Sequence, residues 1–261
     1  MDSIRLFLIT YLMAYHQISF SQSFFNHKNQ VIAHRGAWKA KNLPQNSIAS
    51  LRNAIDLKCT GSEFDVHMTS DGVLIINHDD SIRDLLIENH TFDELNQYRL
   101  RNGENYPTLV QYLAEGLKNN EGTRLICEIK PCRLDPARGI TVAQKVYDEV
   151  SRVKAQEVVT YISFDLKILT TLVSINDAVH CQYLNGDKSP DELKALGIDG
   201  VDYHFSVFKT HPDWIIQAKT NQQTLNVWTV NKEEDMQYFI EANFDQITTN
   251  EPEKLLLKLK K

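Results

Sequence analysis

The apolar positions of this chain switch repeatedly between the two-residue period of strands and the three-to-four-residue period of helices. Val31–Ala33 is a short β-prone run that stops at His34-Arg35-Gly36. Ile48, Leu51, Ala54 and Ile55 then fall at helical spacing behind Ser47, and Gly61 lies past that helix's end. Residues 61–66 read as a second strand and the aliphatic run 73–76 as a third. Only seven residues separate Asp65 from Val73, too few for a crossover helix. The chain either returns extended to the barrel floor before Val73, the preferred reading, or turns back as a local hairpin at Asp71-Gly72. Residues 80–124 form a small insertion on one rim, with a capping box at Thr91 to Glu94 and a helix opened by Pro107-Thr108.

Beyond the insertion, strand and helix patterns alternate. Residues 125–130, 158–163, 179–184, 200–204, 225–230 and 246–249 read as strands. The stripe Val142, Val146, Val150 and Val153, the segment 166–173, the Ser189-Pro190 start and residues 212–218 read as helices, and Asn231 with Glu234 predicts a capped helix start. Such alternation predicts an α/β fold, a TIM-type (β/α)8 barrel, irregular between strands two and three. Nine strand candidates compete for eight places, and the short run 246–249 is the first suspect for exclusion.

At 261 residues and 42% hydrophobic content, the chain suits one barrel domain over 22–261. Arg5, the apolar run 6–15 and small residues before Gln22 predict a signal peptide over 1–21, and hence a periplasmic or secreted protein. That run is shorter than the about 20 residues a membrane helix needs, so no stable span is expected in the mature form. A net charge of -6 argues against nucleic acid as a partner. The four cysteines, Cys59, Cys127, Cys132 and Cys181, lack zinc spacing and read as free thiols.

In a β/α barrel the active face is at the C-terminal strand ends. His34 and Arg35 end strand one, Glu63 and Asp65 strand two, His78 strand three, and Glu128 and Lys130 strand four. Glu63 and Asp65, two apart, share a strand face and repel one another unless a proton or cation intervenes. With Glu128 they can ligate one hard divalent cation, Ca²⁺ or Mg²⁺. Arg35 and Lys130 offer charge to an anionic group, and two histidines can divide the proton transfers. The set suits phosphoester cleavage. Trp228 either forms an apolar wall for substrate or packs in the barrel.

In order along the chain, His34-Arg35-Gly36, Pro44 to Ser47, Glu63-Phe64-Asp65-Val66, Thr69 to Gly72, His78-Asp79, Glu128-Ile129-Lys130, Ser163-Phe164 and Trp228 to Asn231 resemble the glycerophosphodiester phosphodiesterase family. The resemblance implies hydrolysis of glycerophosphodiesters to glycerol 3-phosphate and an alcohol. It also implies His34 and His78 as acid and base, Arg35 and Lys130 as phosphate contacts, and Glu63, Asp65 and Glu128 as ligands of Ca²⁺ or Mg²⁺. The family carries a glutamate after Pro44 where this chain has Gln45, which implies an altered outer shell of the metal site. Two alternatives stay open: a related phosphodiesterase acting on lysophospholipids or inositol phosphodiesters, and a non-catalytic glycerophosphate-binding barrel. The absence of a long apolar insertion favours soluble substrates over the first. Retention of both histidines and all three carboxylates speaks against the second.

Overall fold

A computed structural model of the protein describes residues 29–260. The expected signal segment, 1–21, lies outside them. Eight parallel strands close into a barrel: β1 (Val31–Ala33), β2 (Gly61–Met68), then, beyond three short strands of the insertion region, β6 (Arg124–Ile129), β7 (Val159–Ser163), β8 (Cys181–Tyr183), β9 (Gly200–His204), β10 (Thr224–Trp228) and β11 (Gln246–Thr249). Closure is made by β1, which pairs β11 on one side, Val31 opposite Ile247, and β2 on the other, Ile32 opposite Gly61. The suspect run 246–249 is therefore a barrel strand, paired in parallel with both β1 and β10. It is short because its neighbours are short.

The strand outside the barrel is β3 (Leu74–Ile76), antiparallel to the overhanging end of β2 with Val66 opposite Ile76. The chain thus turns back as a hairpin through Asp71-Gly72 and does not return to the barrel floor, contrary to the preferred sequence reading. A hairpin satisfies the backbone groups of the β2 overhang, which an extended return would leave without a ladder. It also carries the chain back down to the rim, where Asn77 N donates to Asp65 O and His78 follows.

The insertion divides in two. Strands β4 (Ser81–Ile82) and β5 (Leu85–Leu86) pair as a small hairpin, and Ile82, Ile87 and Leu95 bury against Ile75 in a satellite core. The helix Leu109–Leu117, by contrast, buries Leu109, Tyr112 and Leu113 in the main core and belongs to the barrel's outer ring. Thr91 acts as N-cap in a capping box with Glu94, as the spacing predicts, and Thr108, which opens the next helix as expected, caps it in a box with Gln111.

The main core lies between the barrel wall and the helices, built from outward-facing residues such as Phe64, Cys127, Tyr161 and Val201 and from helical stripes including Val142, Val146 and Val150. Ile32, Ile126, Ile162 and Leu184 face inward and form a separate apolar plug in the lumen. Cys59, Cys127 and Cys181 are buried, and all four cysteines are free. Among the described residues no helix is long and apolar enough to cross a membrane.

Candidate active site

The C-terminal rim holds a cavity of about 120 Å³, lined by His34, Arg35, Glu63, His78, Glu128, Lys130 and Trp228 among others. The sequence-predicted residues converge there because His34, Arg35, Glu128 and Lys130 lie at or just past the ends of parallel strands; Glu63 and Asp65 lie inside β2, which runs on to Met68 rather than ending at them, and His78 is delivered by the β2–β3 hairpin. Asp65 is buried beside them, 1% exposed.

The turn after β1 sets the first half of the site. Arg35 adopts a left-handed backbone (φ 57), and its N–H donates to Glu63 Oε2 at 2.8 Å. Gly36 follows at φ 79, and a Cβ there would lie 2.5 Å from Ser50 Oγ, so only glycine fits this close approach to the helix Ile48–Asp56. Asn46, also left-handed (φ 56), clamps Asp65 twice: Nδ2 donates to Oδ2 at 2.8 Å, and Oδ1 accepts from Asp65 N at 3.2 Å. Gln45 Oε1 accepts from Arg35 Nη1 at 2.7 Å. The neutral amide thus steers the guanidinium without adding charge to the carboxylate cluster.

Glu63, Asp65 and Glu128 each present an oxygen within 4.8 Å of the others, and all three side chains are buried. Among the described residues Glu63 Oε1 has no hydrogen-bond partner. Lys130 Nζ sits between two of the acids, 3.1 Å from Asp65 Oδ1 and 2.9 Å from Glu128 Oε1. Burial pushes the Glu63 carboxyl well above its ordinary range, and the charges of Asp65 and Glu128 push it the same way. Burial and Asp65 likewise raise Glu128 to about 7. At Asp65 burial is outweighed by Lys130, His78, the Asn46 amide and Arg35, which hold it at about 2. Three buried carboxyls face the shared Lys130 ammonium and the Arg35 guanidinium, 3.9 Å from Asp65 Oδ2, and remain one positive charge short. An all-oxygen donor set with one orphaned carboxylate oxygen fits a hard divalent cation.

His34 and His78 flank this cluster. Asn250 Oδ1 lies 2.8 Å from His34 Nδ1, and a carbonyl oxygen only accepts, so Nδ1 carries the hydrogen and Nε2 presents its lone pair to the cavity. His34 Nε2 is 3.9 Å from Glu63 Oε2. Burial, assisted by the Arg35 charge, lowers His34 to about 4, so it is neutral near pH 7. His78 is more exposed, and its Nδ1 lies 2.8 Å from Asp79 Oδ1, which leaves Nε2 free.

Trp228 lies where the barrel lumen meets the cavity. It packs against the lumen plug and lines the cavity, meeting Phe164 edge-on with ring centroids 5.6 Å apart. Asn231 does not cap the following helix, Glu233–Glu241, whose N-cap is Lys232. Its Oδ1 instead accepts from Asn250 N at 2.9 Å, which fixes the loop that orients His34. A side chain this close to a neighbouring strand end satisfies that loop better than its own helix. Asn46, Asp202 and Asn250 are the site residues that the sequence pattern did not single out. For Asn46 the signal was present, in the turn residue just ahead of the Ser47 N-cap.

Comparison with known proteins gives the family and the fold. Residues 34–254 match the model of the Glycerophosphoryl diester phosphodiesterase family. A glycerophosphodiester phosphodiesterase of Caldanaerobacter subterraneus subsp. tengcongensis is 29% identical over 249 residues, 90% of this chain and 99% of that protein. The crystal structure of a glycerophosphodiester phosphodiesterase from Parabacteroides distasonis superposes with a TM-score of 0.86 at 41% identity, covering 89% of this chain and 97% of that one. An Oleispira antarctica phosphodiesterase, solved with the product sn-glycerol-3-phosphate, has the same fold at 22% identity, with a TM-score of 0.78 over 92% of this chain and 99% of its own.

Proposed function

Because the chain belongs to the glycerophosphoryl diester phosphodiesterase family, we propose that it hydrolyses glycerophosphodiesters to glycerol 3-phosphate and an alcohol, with one bound divalent cation and with His34 and His78 as base and acid. The observation that carries this reading is the cluster of Glu63, Asp65 and Glu128 within 4.8 Å, set between two histidines on the rim of a barrel. The product complex of the Oleispira antarctica relative supports the substrate class.

Glu63, Asp65 and Glu128 would hold Ca²⁺ or Mg²⁺, which supplies Lewis-acid polarisation of a phosphoryl oxygen when bound. The chain's own groups do the rest. Arg35 and Lys130 meet the remaining phosphoryl charge, Arg35 held in aim by Gln45. His34 is neutral with its Nε2 lone pair facing the cavity, which suits it to take the proton of the attacking hydroxyl. His78, which lines both the enclosed cavity and the open cleft, is placed to protonate the departing alkoxide oxygen. Phe164 and Trp228 exclude water from one side of the reacting phosphorus.

Glycerophosphocholine incubated with the protein is expected to release glycerol 3-phosphate. Release should stop with a chelator and return with Ca²⁺ or Mg²⁺, and a chelator-resistant rate would refute the cation's role.

The role given to His34 carries its own pH signature. Asn250→Asp places a carboxylate on Nδ1–H, which favours the imidazolium and raises the His34 pKa from about 4. An opposite charge at contact distance is worth roughly 1–3 pKa units. Since the base must be neutral, the acid limb of kcat/KM is expected to move to higher pH by that amount. An unmoved limb, read from a pH–rate profile, would take His34 out of the base role.

A further inference from the structure

The cavity has a polar wall that the proposed chemistry does not use, formed by β9 to β11. His204 and Trp228 are register partners at the ends of β9 and β10, and Asp202 and Asn226 are partners two residues earlier. With a strand rise of about 3.3 Å per residue, Asp202 lies roughly 6–7 Å deeper in the lumen than His204 and Trp228. It is 1% exposed yet lines the cavity; the Asn226 side chain approaches its carboxyl, and among the described residues neither Asp202 Oδ1 nor Asn226 Nδ2 closes a hydrogen bond. A buried, unsatisfied carboxyl oxygen is costly to keep unless something meets it.

Its surroundings say what that something is. Thr248 also lines the cavity, and its hydroxyl already donates to Asn226 Oδ1 at 3.1 Å, so towards the cavity it can only accept. Asn226 Oδ1 is occupied a second time by Val227 N at 2.8 Å, which locks that amide in place. Burial, with the nearby Glu128 charge, pushes the Asp202 carboxyl well above its ordinary range. A hydroxyl, which both donates and accepts, complements this polar wall. Ile162, Phe164 and Leu184 add an apolar wall to the same cavity.

The enclosed compartment therefore suits a short polyol whose carbon chain passes the apolar wall. The second compartment differs. Beyond His78 and Lys130 lies an open cleft lined by Asp79, Asp80, Arg83 and Arg133, which makes no comparable enclosure. The part of the substrate common to all glycerophosphodiesters belongs in the closed compartment and the variable alcohol in the open one.

Resting on the glycerophosphodiester reading above, we infer that Asp202, with Thr248, is a specificity-determining residue that recognises the terminal hydroxyl of the substrate's glycerol. The terminal hydroxyl is chosen because it is the one farthest from phosphorus and so reaches deepest. A site built to hydrogen-bond a substrate hydroxyl discriminates strongly against the analogue lacking it, because its own polar groups are then left unpaired.

The test compares glycerophosphocholine with the 1,2-propanediol phosphocholine diester, which lacks only the terminal hydroxyl. Wild type is expected to prefer the first by about tenfold or more in kcat/KM. Asp202→Leu should lose that preference, chiefly through a higher KM on glycerophosphocholine, while the propanediol analogue, which offers Asp202 no hydroxyl, is affected less than glycerophosphocholine. Asp202→Asn keeps a donor and an acceptor and should keep most of the preference. Equal losses on both substrates, or a preference that survives Asp202→Leu, would overturn the inference. If Asp202→Leu does not fold, inhibition of Asp202→Asn and wild type by glycerol 3-phosphate and by 1,2-propanediol phosphate decides: discrimination absent from both proteins overturns it. A wild type that cleaves bis(4-nitrophenyl) phosphate but neither phosphocholine diester defeats the glycerophosphodiester reading itself, a pattern distinct from every outcome above.

Discussion

Glu63→Gln is expected to lower turnover by about 10³-fold while making the cation-free protein more stable than wild type. The substitution keeps the acceptor that Arg35 N needs, held at 2.8 Å in the native site, and removes one charge from three acids within 4.8 Å. Burial and the like charges of Asp65 and Glu128 disfavour an ionised Glu63, so neutralising it relieves the folded state. A relief of about 1 kcal/mol raises Tm by roughly 2–4 °C in a protein of this size. The same change removes one of the three proposed cation ligands, and a Lewis acid contributes several kcal/mol, with about 1.4 kcal/mol for each factor of ten in rate. Thermal melts with chelator and with Ca²⁺ check both halves: wild type should gain stability on adding Ca²⁺, and Glu63→Gln should gain little. Unchanged turnover in the folded variant would remove Glu63 from the metal site.

The sign of the pH dependence follows from the same cluster. Glu128 in the folded protein has its pKa raised from 4.5 to about 7, so the folded state holds that proton more tightly than the unfolded chain. Stability from this group is complete below about 4.5 and is lost as pH rises towards 7. The cation-free protein should therefore lose stability across that interval, and bound Ca²⁺ should suppress the loss.

What the sequence made legible, and what it hid, divides along physical lines. His34, Arg35, Glu63, Asp65, Glu128 and Lys130 were readable because a parallel strand sends its C-terminal residues to one face whatever the barrel's details. His78 was assigned to a strand end, yet it reaches the rim through an antiparallel hairpin, and local spacing could not choose between the two routes. The strand 246–249 looked dispensable because four residues carry little pattern, but its place is fixed by closure between β1 and β10, a long-range pairing. The helix Phe205–Thr210 begins directly after β9, without a separating turn that would mark it. Asp202 was hidden for a related reason. A single acid inside a strand reads as a solvated face, and only the closed lumen makes it a buried wall. Asn231 and Asn250 act across strands, so neither has a local signature.

His78→Ala is expected to lower kcat for glycerophosphocholine by about 10²–10⁴-fold, and His34→Ala by a similar amount. The two losses should separate when the leaving group changes. Choline is a poor leaving alkoxide that must be protonated as it departs, whereas 4-nitrophenolate leaves without help. If His78 is the acid, His78→Ala should retain most of its activity on bis(4-nitrophenyl) phosphate, and His34→Ala should lose activity on both substrates because the attacking hydroxyl still needs its base. The surroundings argue for that division. His34 is buried, kept neutral, and has its lone pair directed into the cavity by Asn250. His78 borders both the enclosed compartment and the open cleft, the boundary at which a bond to the departing alcohol would break. The opposite pattern, with His34→Ala rescued by the nitrophenyl diester, would exchange the two roles. Equal and complete losses for both variants on both diesters would mean that the histidines serve the site's architecture rather than its proton transfers.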